Sequence, residues 1–264
     1  MNLLLKAIIK PHRAIKYAVD FIAGFYKIDL HPINLIKYLI ELYRSKDFWQ
    51  HINEKVEEVK RNFPDPKLGG WMLGYPCILL YAIVRVAKPK VVVETGVGPG
   101  GSSALILLAL ERNKQGQLFS IDLPGADALI YPKIGKNYNI HVPPGYEVGW
   151  LVPSWLRSKW RLFLGDSKEL LPKLVENLGE IDMFLHDSLH TDECVTFELL
   201  TVFPYLKKGG LLLADDVNEY WSMAFKTFCE EKSIPYTIFY SRLGVARKKI
   251  IKICKSYMRR RKNV

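Results

Sequence analysis

The sequence predicts an α/β fold built on a doubly wound sheet, and three observations predict it. From Lys90 onward short apolar runs alternate with amphipathic helical stretches, the first run leads into a glycine-rich turn, and several runs end in Asp. The runs are Val91 to Glu94, Leu118 to Asp122, Arg161 to Leu164, Ile181 to Asp187, Leu211 to Asp215, Tyr236 to Tyr240 and Leu243 to Ala246, so seven strands are available. Before them, residues 1–88 read as a helical cap. Leu35, Ile36, Leu39, Ile40, Leu42 and Tyr43 recur at helical spacing, and Phe63-Pro64-Asp65-Pro66 then breaks the pattern. The organisation expected is this cap, a sheet domain over 89–247 and a basic tail over 248–264. Within the sheet domain, 124–160 is rich in Gly, Pro, Tyr and Trp, including Tyr131, Pro143-Pro144-Gly145-Tyr146 and Trp150. So long a segment without regular pattern is expected to be a lid, and its aromatics favour an ordered one.

A chain of 264 residues with 49% hydrophobic and 12% aromatic content can bury a full core. Its formal charge of +11 looks like a nucleic-acid signature until it is located. Nine basic residues, Arg247, Lys248, Lys249, Lys252, Lys255, Arg259, Arg260, Arg261 and Lys262, lie in the last 18 positions, and subtracting them leaves about +2 before residue 247. Because the cations sit at the termini and not along the strand ends, no nucleic-acid partner is expected. Cys77, Cys194, Cys229 and Cys254 stand far apart, which argues against a zinc knuckle or a disulfide framework and fits a reducing, cytoplasmic setting. The apolar run Met1 to Ile9 is interrupted by Lys6, and no stretch reaches the roughly 18–20 uncharged residues of a spanning helix.

The strongest signal is Val91-Val92-Val93-Glu94-Thr95-Gly96-Val97-Gly98-Pro99-Gly100-Gly101-Ser102-Ser103, a buried strand turning through glycines into a helix. The chain must turn tightly there, and a Cβ would block a ligand lying against the backbone. Two cofactors fit the spacing. Gly96-x-Gly98-x-x-Gly101 satisfies the dinucleotide fingerprint of an NAD-dependent oxidoreductase, and Glu94-x-Gly96-x-Gly98-x-Gly100 satisfies the first motif of enzymes that bind S-adenosylmethionine (SAM). A carboxylate at Glu94 would repel a pyrophosphate but can reach the ammonium of a methionine moiety, which favours SAM. Asp122, ending the second strand, can accept both ribose hydroxyls of either cofactor. In Gly165-Asp166-Ser167, after the third strand, a carboxylate can accept from an adenine amino group, or Asp166 or Ser167 can simply cap the next helix.

On these motifs, residues from about Lys67 to Ala246, roughly two thirds of the chain, resemble a class I SAM-dependent methyltransferase. The likeness is to catechol-type O-methyltransferases and to methyltransferases of glycan and natural-product clusters. The resemblance implies a seven-stranded Rossmann-like sheet with its last strand antiparallel, SAM at the ends of the first strands held by Glu94, Gly96, Gly98, Gly100, Ser102, Asp122, Asp166 and Ser167, and inverting displacement at the methyl carbon. The expected activity is O-methylation of a small-molecule or sugar hydroxyl.

Strands four and five end in Leu185-His186-Asp187-Ser188-Leu189-His190 and Ala214-Asp215-Asp216. Both endings should open on the carboxyl edge, where open α/β sheets bind ligands. Asp187, Asp215 and Asp216 would suit Mg²⁺, which could lower a substrate hydroxyl's pKa and orient it; by resemblance these positions are where catechol-type enzymes hold their ion. A metal-free arrangement is the alternative, with His190 as general base and Asp187 orienting the substrate or the SAM amino group. Related sequences often carry Asp before this His, whereas here it is Leu189. Strand alternation aims His186 away from Asp187. A non-catalytic SAM-binding protein keeps the same fold, but retention of Asp187, His190, Asp215 and Asp216 argues against it.

Around this edge, Trp150, Trp155 and Arg157 can close over a sugar ring or an anionic acceptor, or can pack the lid onto the sheet. Trp71 and Tyr75 by resemblance approach the cofactor. Lys6, Lys10, Arg13 and Lys16, with the basic tail, can hold the protein peripherally at an anionic membrane at about 1 kcal/mol per cation, or can be solvated.

Overall fold

The computed structural model describes residues 22–62, 75–123, 130–131, 136–137, 142–143 and 145–249. The expectations placed on Trp71, the Phe63 to Pro66 breaker, Met1 to Lys16, the greater part of 124–144 and the tail beyond Lys249 lie outside them, as does the side chain of Tyr75.

Seven strands form one sheet: β1 (Val91–Thr95), β2 (Gln117–Asp122), β3 (Trp160–Leu164), β4 (Ile181–His186), β5 (Leu206–Ala214), β6 (Tyr236–Phe239) and β7 (Leu243–Arg247). Their order is β3-β2-β1-β4-β5-β7-β6. The first five are parallel, and β7 runs antiparallel to both β5 and β6. The predicted runs thus all became strands; those at β1, β2, β3 and β7 are a residue longer than expected, β5 begins five residues earlier and ends one earlier, and β4 and β6 end one residue earlier. β1 carries three successive valines and buries Glu94 and Thr95 after them because both of its faces are covered, the usual reason that a central parallel strand lacks alternation.

Helices cover the two faces. On one lie α1 (Pro32–Tyr43), α2 (Lys46–Asn62), α3 (Tyr75–Ala87) and α4 (Gly101–Asn113); on the other lie α5 (Ser167–Leu178), α6 (Asp192–Val202) and α7 (Ala224–Glu231). Successive strand residues alternate between the layers: Val92, Met183 and Leu213 join the α1–α4 core, and Val93, Phe184 and Leu212 the α5–α7 core. All ten residues from Gly101 to Leu110 of α4 are buried, because this helix is sandwiched between the sheet and the N-terminal helices and needs no polar face. The helices predicted as a cap are therefore continuous with the core, from Phe25 through Leu35 and Leu42 to Tyr81.

The strand order reverses at β1, which is flanked by β2 and β4, so the loops after β1 and β4 leave in opposite directions and open a crevice at their carboxyl ends.

Candidate active site

Gly96 begins the loop at the head of β1. Its φ is +83°, and a Cβ there would lie 2.0 Å from the Asp187 carbonyl oxygen. Glycine is required at this point by the neighbouring strand end, since the backbone of Asp187 and Ser188 presses against it. At Gly100 (φ +92°) a Cβ would lie 2.8 Å from Gly149 Cα and 2.9 Å from Val152 Cγ2. There the lid segment closes on the loop, with Gly149 N donating to Gly98 O and Leu151 N to Pro99 O, both at 2.8 Å. Gly149 and Leu151 thus hydrogen-bond to the glycine motif itself.

Asp122, at the end of β2, accepts from Val97 N at 2.7 Å and Gly98 N at 2.9 Å through Oδ2. It braces the loop from the position expected for a ribose contact. Glu94 corrects the sequence expectation. It is fully buried, with Oε1 accepting from Ser102 at 2.6 Å and Oε2 from Ser103 at 2.6 Å and Ser120 at 2.7 Å. It therefore ties β1, β2 and α4 together behind the loop and does not present a charge to the crevice. Burial outweighs these hydrogen bonds and raises its pKa. Ser102 is corrected with it, since its hydroxyl faces Glu94. Asp166 is exposed and caps α5, accepting from Lys168 N at 2.8 Å, the helix-cap alternative; Ser167 hydrogen-bonds Glu198 instead of facing the crevice.

The ends of β4 and β5 supply a second cluster. His190 Nε2 lies 3.9 Å from Asp187 Oδ1 and 3.7 Å from Asp216 Oδ2, and the edge of Trp221 closes one side of its ring at 5.7 Å. Burial, then His186 and Arg242, hold His190 well below the usual histidine range, so the ring is neutral at pH 7. Burial, then the carboxylates of Asp215, Glu94 and Asp216, push Asp187 well above the usual range. Asp216, at φ +52°, is raised to about 6 by burial and by Asp215.

Sequence reasoning missed Arg242, in the turn between β6 and β7. Its Nε and Nη2 grip both oxygens of the buried Asp215, at 3.0 and 2.8 Å, and Nε lies 3.2 Å from Asp216 Oδ1. This decides the fit of Mg²⁺. Both Asp215 oxygens and Asp216 Oδ1, which would coordinate an ion, are held by a guanidinium, and among the described residues no three His, Cys, Asp or Glu side chains form a group able to hold a metal. The residues do not fit the ion. The signal that could have found Arg242 is the acid pair itself, which needs a cation when buried.

Glu198 was also missed. Fully buried on α6, it accepts from Thr95 Oγ1 at 2.5 Å and Ser188 Oγ at 2.9 Å and pairs with His186 Nδ1 at 2.7 Å. Burial alone would raise its pKa, but His186 and the hydrogen bonds from His186, Ser167 and Thr95 hold it below the ordinary value. The cluster fastens the ends of β1 and β4 to α5 and α6 beneath the crevice. His186 thus points to Glu198 beneath the crevice, with its ring edge-on to His190 at 5.4 Å.

Of the aromatic lid residues, Trp150 is buried against Tyr146 and the α4 core, the packing alternative, and Arg157 donates to Gly149 O and Val152 O. Trp155 is half exposed, edge-on to His51. Between α2 and this segment lies a cavity of about 720 Å³ whose lining includes Glu58, Asn62, Tyr146, Trp150 and Arg157.

This strand order, with a central switch point and an antiparallel β7, is the fold of class I methyltransferases. Residues 93–217, from the glycine motif to the turn after β5, match the family model described as a methyltransferase domain. Solved structures share the fold at low identity. The SAH-bound methyltransferase PaMTH1 of Podospora anserina is 16% identical, with 76% of this chain and 88% of that one covered and a TM-score of 0.51. The O-methyltransferase TomG of Streptomyces achromogenes, involved in tomaymycin synthesis and in complex with SAM, is 16% identical, covering 76% and 90%, TM-score 0.51. The Bacillus cereus O-methyltransferase with SAH is 14% identical, covering 76% and 91%, TM-score 0.51. No curated protein matches the chain.

Proposed function

We propose that this protein transfers the methyl group of SAM to a hydroxyl of a small molecule or sugar, without a metal ion. The observation that carries the reading is the charge of the crevice. Asp122, Asp187 and Asp216 stand at the ends of β2, β4 and β5, Asp122 holding the glycine loop, Asp187 and Asp216 facing His190, and Arg242 pairing with Asp216. Such a site suits a ligand bearing a sulfonium and an ammonium and opposes the pyrophosphate of a dinucleotide. Asp122 and the backbone of Gly96 to Gly100 would hold the nucleoside, and Asp187 the cationic methionine end. Bound SAM supplies an activated methyl carbon, so the protein's task is mainly alignment.

His190 does the remaining work. Its neutral ring can take the proton of an acceptor hydroxyl as the new C–O bond forms and the C–S bond breaks; the thioether SAH leaves with the electron pair. The spaces of 3.7 and 3.9 Å between Nε2 and the two carboxylates leave room for that hydroxyl to be held by one acid and the ring together. The cavity beside Tyr146, with Glu58 and Asn62, offers donors and acceptors to the distal hydroxyls of a sugar-like acceptor. These features are also what a non-catalytic SAM binder would have no need to keep.

The test is a screen of hydroxylated acceptors with SAM labelled on the methyl group, followed by His190→Gln on any acceptor that turns over. The expected result is label transferred to oxygen, with kcat falling about 10²- to 10⁴-fold in the variant and SAM affinity unchanged. Label on nitrogen or carbon, or a variant of undiminished kcat, would overturn the assignment.

A further inference from the structure

We infer that Glu198 and His186 are positioning residues for methyl transfer: they fix which nitrogen of His190 carries its hydrogen and take up the positive charge when that ring accepts a proton. The inference deepens the proposed function and rests on its reading of His190 as the base. Two observations carry it. His186 Nε2 and His190 Nδ1 are both buried and have no hydrogen-bond partner among the described residues. Their rings stand edge to face, with centroids 5.4 Å apart. A buried ring nitrogen left without a partner is destabilising, and two of them on neighbouring rings are satisfied together when one donates and the other accepts, through one water at this separation.

Glu198 decides which of the two donates. Burial would raise its carboxyl, but His186 and the hydrogen bonds from His186, Ser167 and Thr95 hold it below the ordinary value, so it is ionised and only accepts. His186 Nδ1, 2.7 Å away, is therefore its donor, and on the neutral ring Nε2 keeps a lone pair. The group that matches this lone pair is a hydrogen on His190 Nδ1. That leaves His190 Nε2 bare on the side of Asp187 and Asp216, where the acceptor hydroxyl is held. The tautomer a base needs is thus set two rings away, the logic by which a third group orients a catalytic histidine. As the methyl carbon bonds to the acceptor oxygen and the C–S electrons leave on SAH, the hydroxyl proton goes to His190 Nε2. The hydrogen on His190 Nδ1 then passes to His186 Nε2, and the charge comes to rest on His186 against the Glu198 carboxylate. Burial, then His186 and Arg242, disfavour a charge kept on His190 itself, which is why it is handed on. Release of one proton to solvent by the reverse path, after the products leave, restores the resting state.

The tautomers can be read without turnover, so this proposal and the enzymatic reading fail separately. Full-length protein labelled with ¹⁵N-histidine, free of SAM and acceptor, should show both rings with their hydrogen on Nδ1 in two-bond ¹H–¹⁵N spectra at neutral pH, the signals being assigned by their loss in His186→Gln and His190→Gln. A His190 ring with its hydrogen on Nε2, or a His186 ring already carrying two, would overturn the proposal. With an acceptor that turns over, Glu198→Gln, which keeps the side chain's shape and removes its charge, should lower kcat about 10- to 100-fold and leave KM and SAM affinity within about twofold. An unchanged kcat would also overturn it, as would an equal loss of kcat and SAM affinity, the mark of a purely structural role.

Discussion

Arg242 grips Asp215 through both carboxylate oxygens, its Nη2 at 2.8 Å and its Nε at 3.0 Å, with Asp216 a further 3.2 Å contact on the same guanidinium. A protein-borne cation thereby stands at the acid pair where a divalent ion was expected from sequence. Turnover should accordingly be indifferent to EDTA, as measured by methyl transfer before and after chelation; loss restored by added Mg²⁺ would contradict it.

The same pair has a stability consequence. Asp215 is buried and Arg242 is about a third exposed, so removing the guanidinium strands a buried carboxylate whose partner was only partly desolvated. Arg242→Ala should destabilise the fold by about 2–3 kcal/mol, read as a shift in urea midpoint, and Arg242→Lys by less.

Two neighbouring groups should titrate with opposite sign. Asp216 is raised from 3.8 to about 6, so the fold favours its protonated form; that contribution is complete below about pH 4 and is lost as pH rises through about 6. His190 is held below 6.5, so its contribution is complete above that value and is lost as pH falls below it. Asp216→Asn, tolerable at positive φ, should therefore gain stability relative to the parent as pH rises from 4 to 7. His190→Gln should gain relative to the parent as pH falls below 6.5. Denaturant melts across pH would show slopes of the same sign if this is wrong.

Affinity for a cationic ligand should follow the carboxylates. Asp187 and Asp216 are both raised in the free protein, and a nearby sulfonium favours their ionised forms. SAM affinity should rise with pH through about 6 and binding should release protons, visible as a buffer-dependent calorimetric enthalpy.

The glycines differ in what they would cost. Gly96→Ala places a methyl 2.0 Å from a backbone oxygen at positive φ and should prevent folding or cost more than about 4 kcal/mol. Gly145 has φ +86° but open space around it, so Gly145→Ala should cost only about 1 kcal/mol.

All seven strands and the glycine turn were legible because they depend on local pattern: short, mostly apolar runs, then residues that bend the chain. Which way a side chain faces at a strand end is not local. Glu94 sits opposite Ser120 only once β1 and β2 are in register, and meets Ser102 and Ser103 only once α4 has folded back. Motif spacing placed it near the ligand and could not say that three hydroxyls would turn it away. Arg242 lies 26 residues beyond Asp216, and its role exists only when the last hairpin completes the sheet. Trp150 had two readings of equal weight, and burial against the α4 core chose packing.

The central claim is that the crevice at the head of β1 receives SAM, and calorimetry on cofactor-stripped full-length protein tests it most directly. Micromolar binding of SAM, no binding of NAD, and a loss of about tenfold or more in Asp122→Ala are predicted from the loop contacts of that carboxylate. NAD binding in the absence of SAM binding would contradict the account.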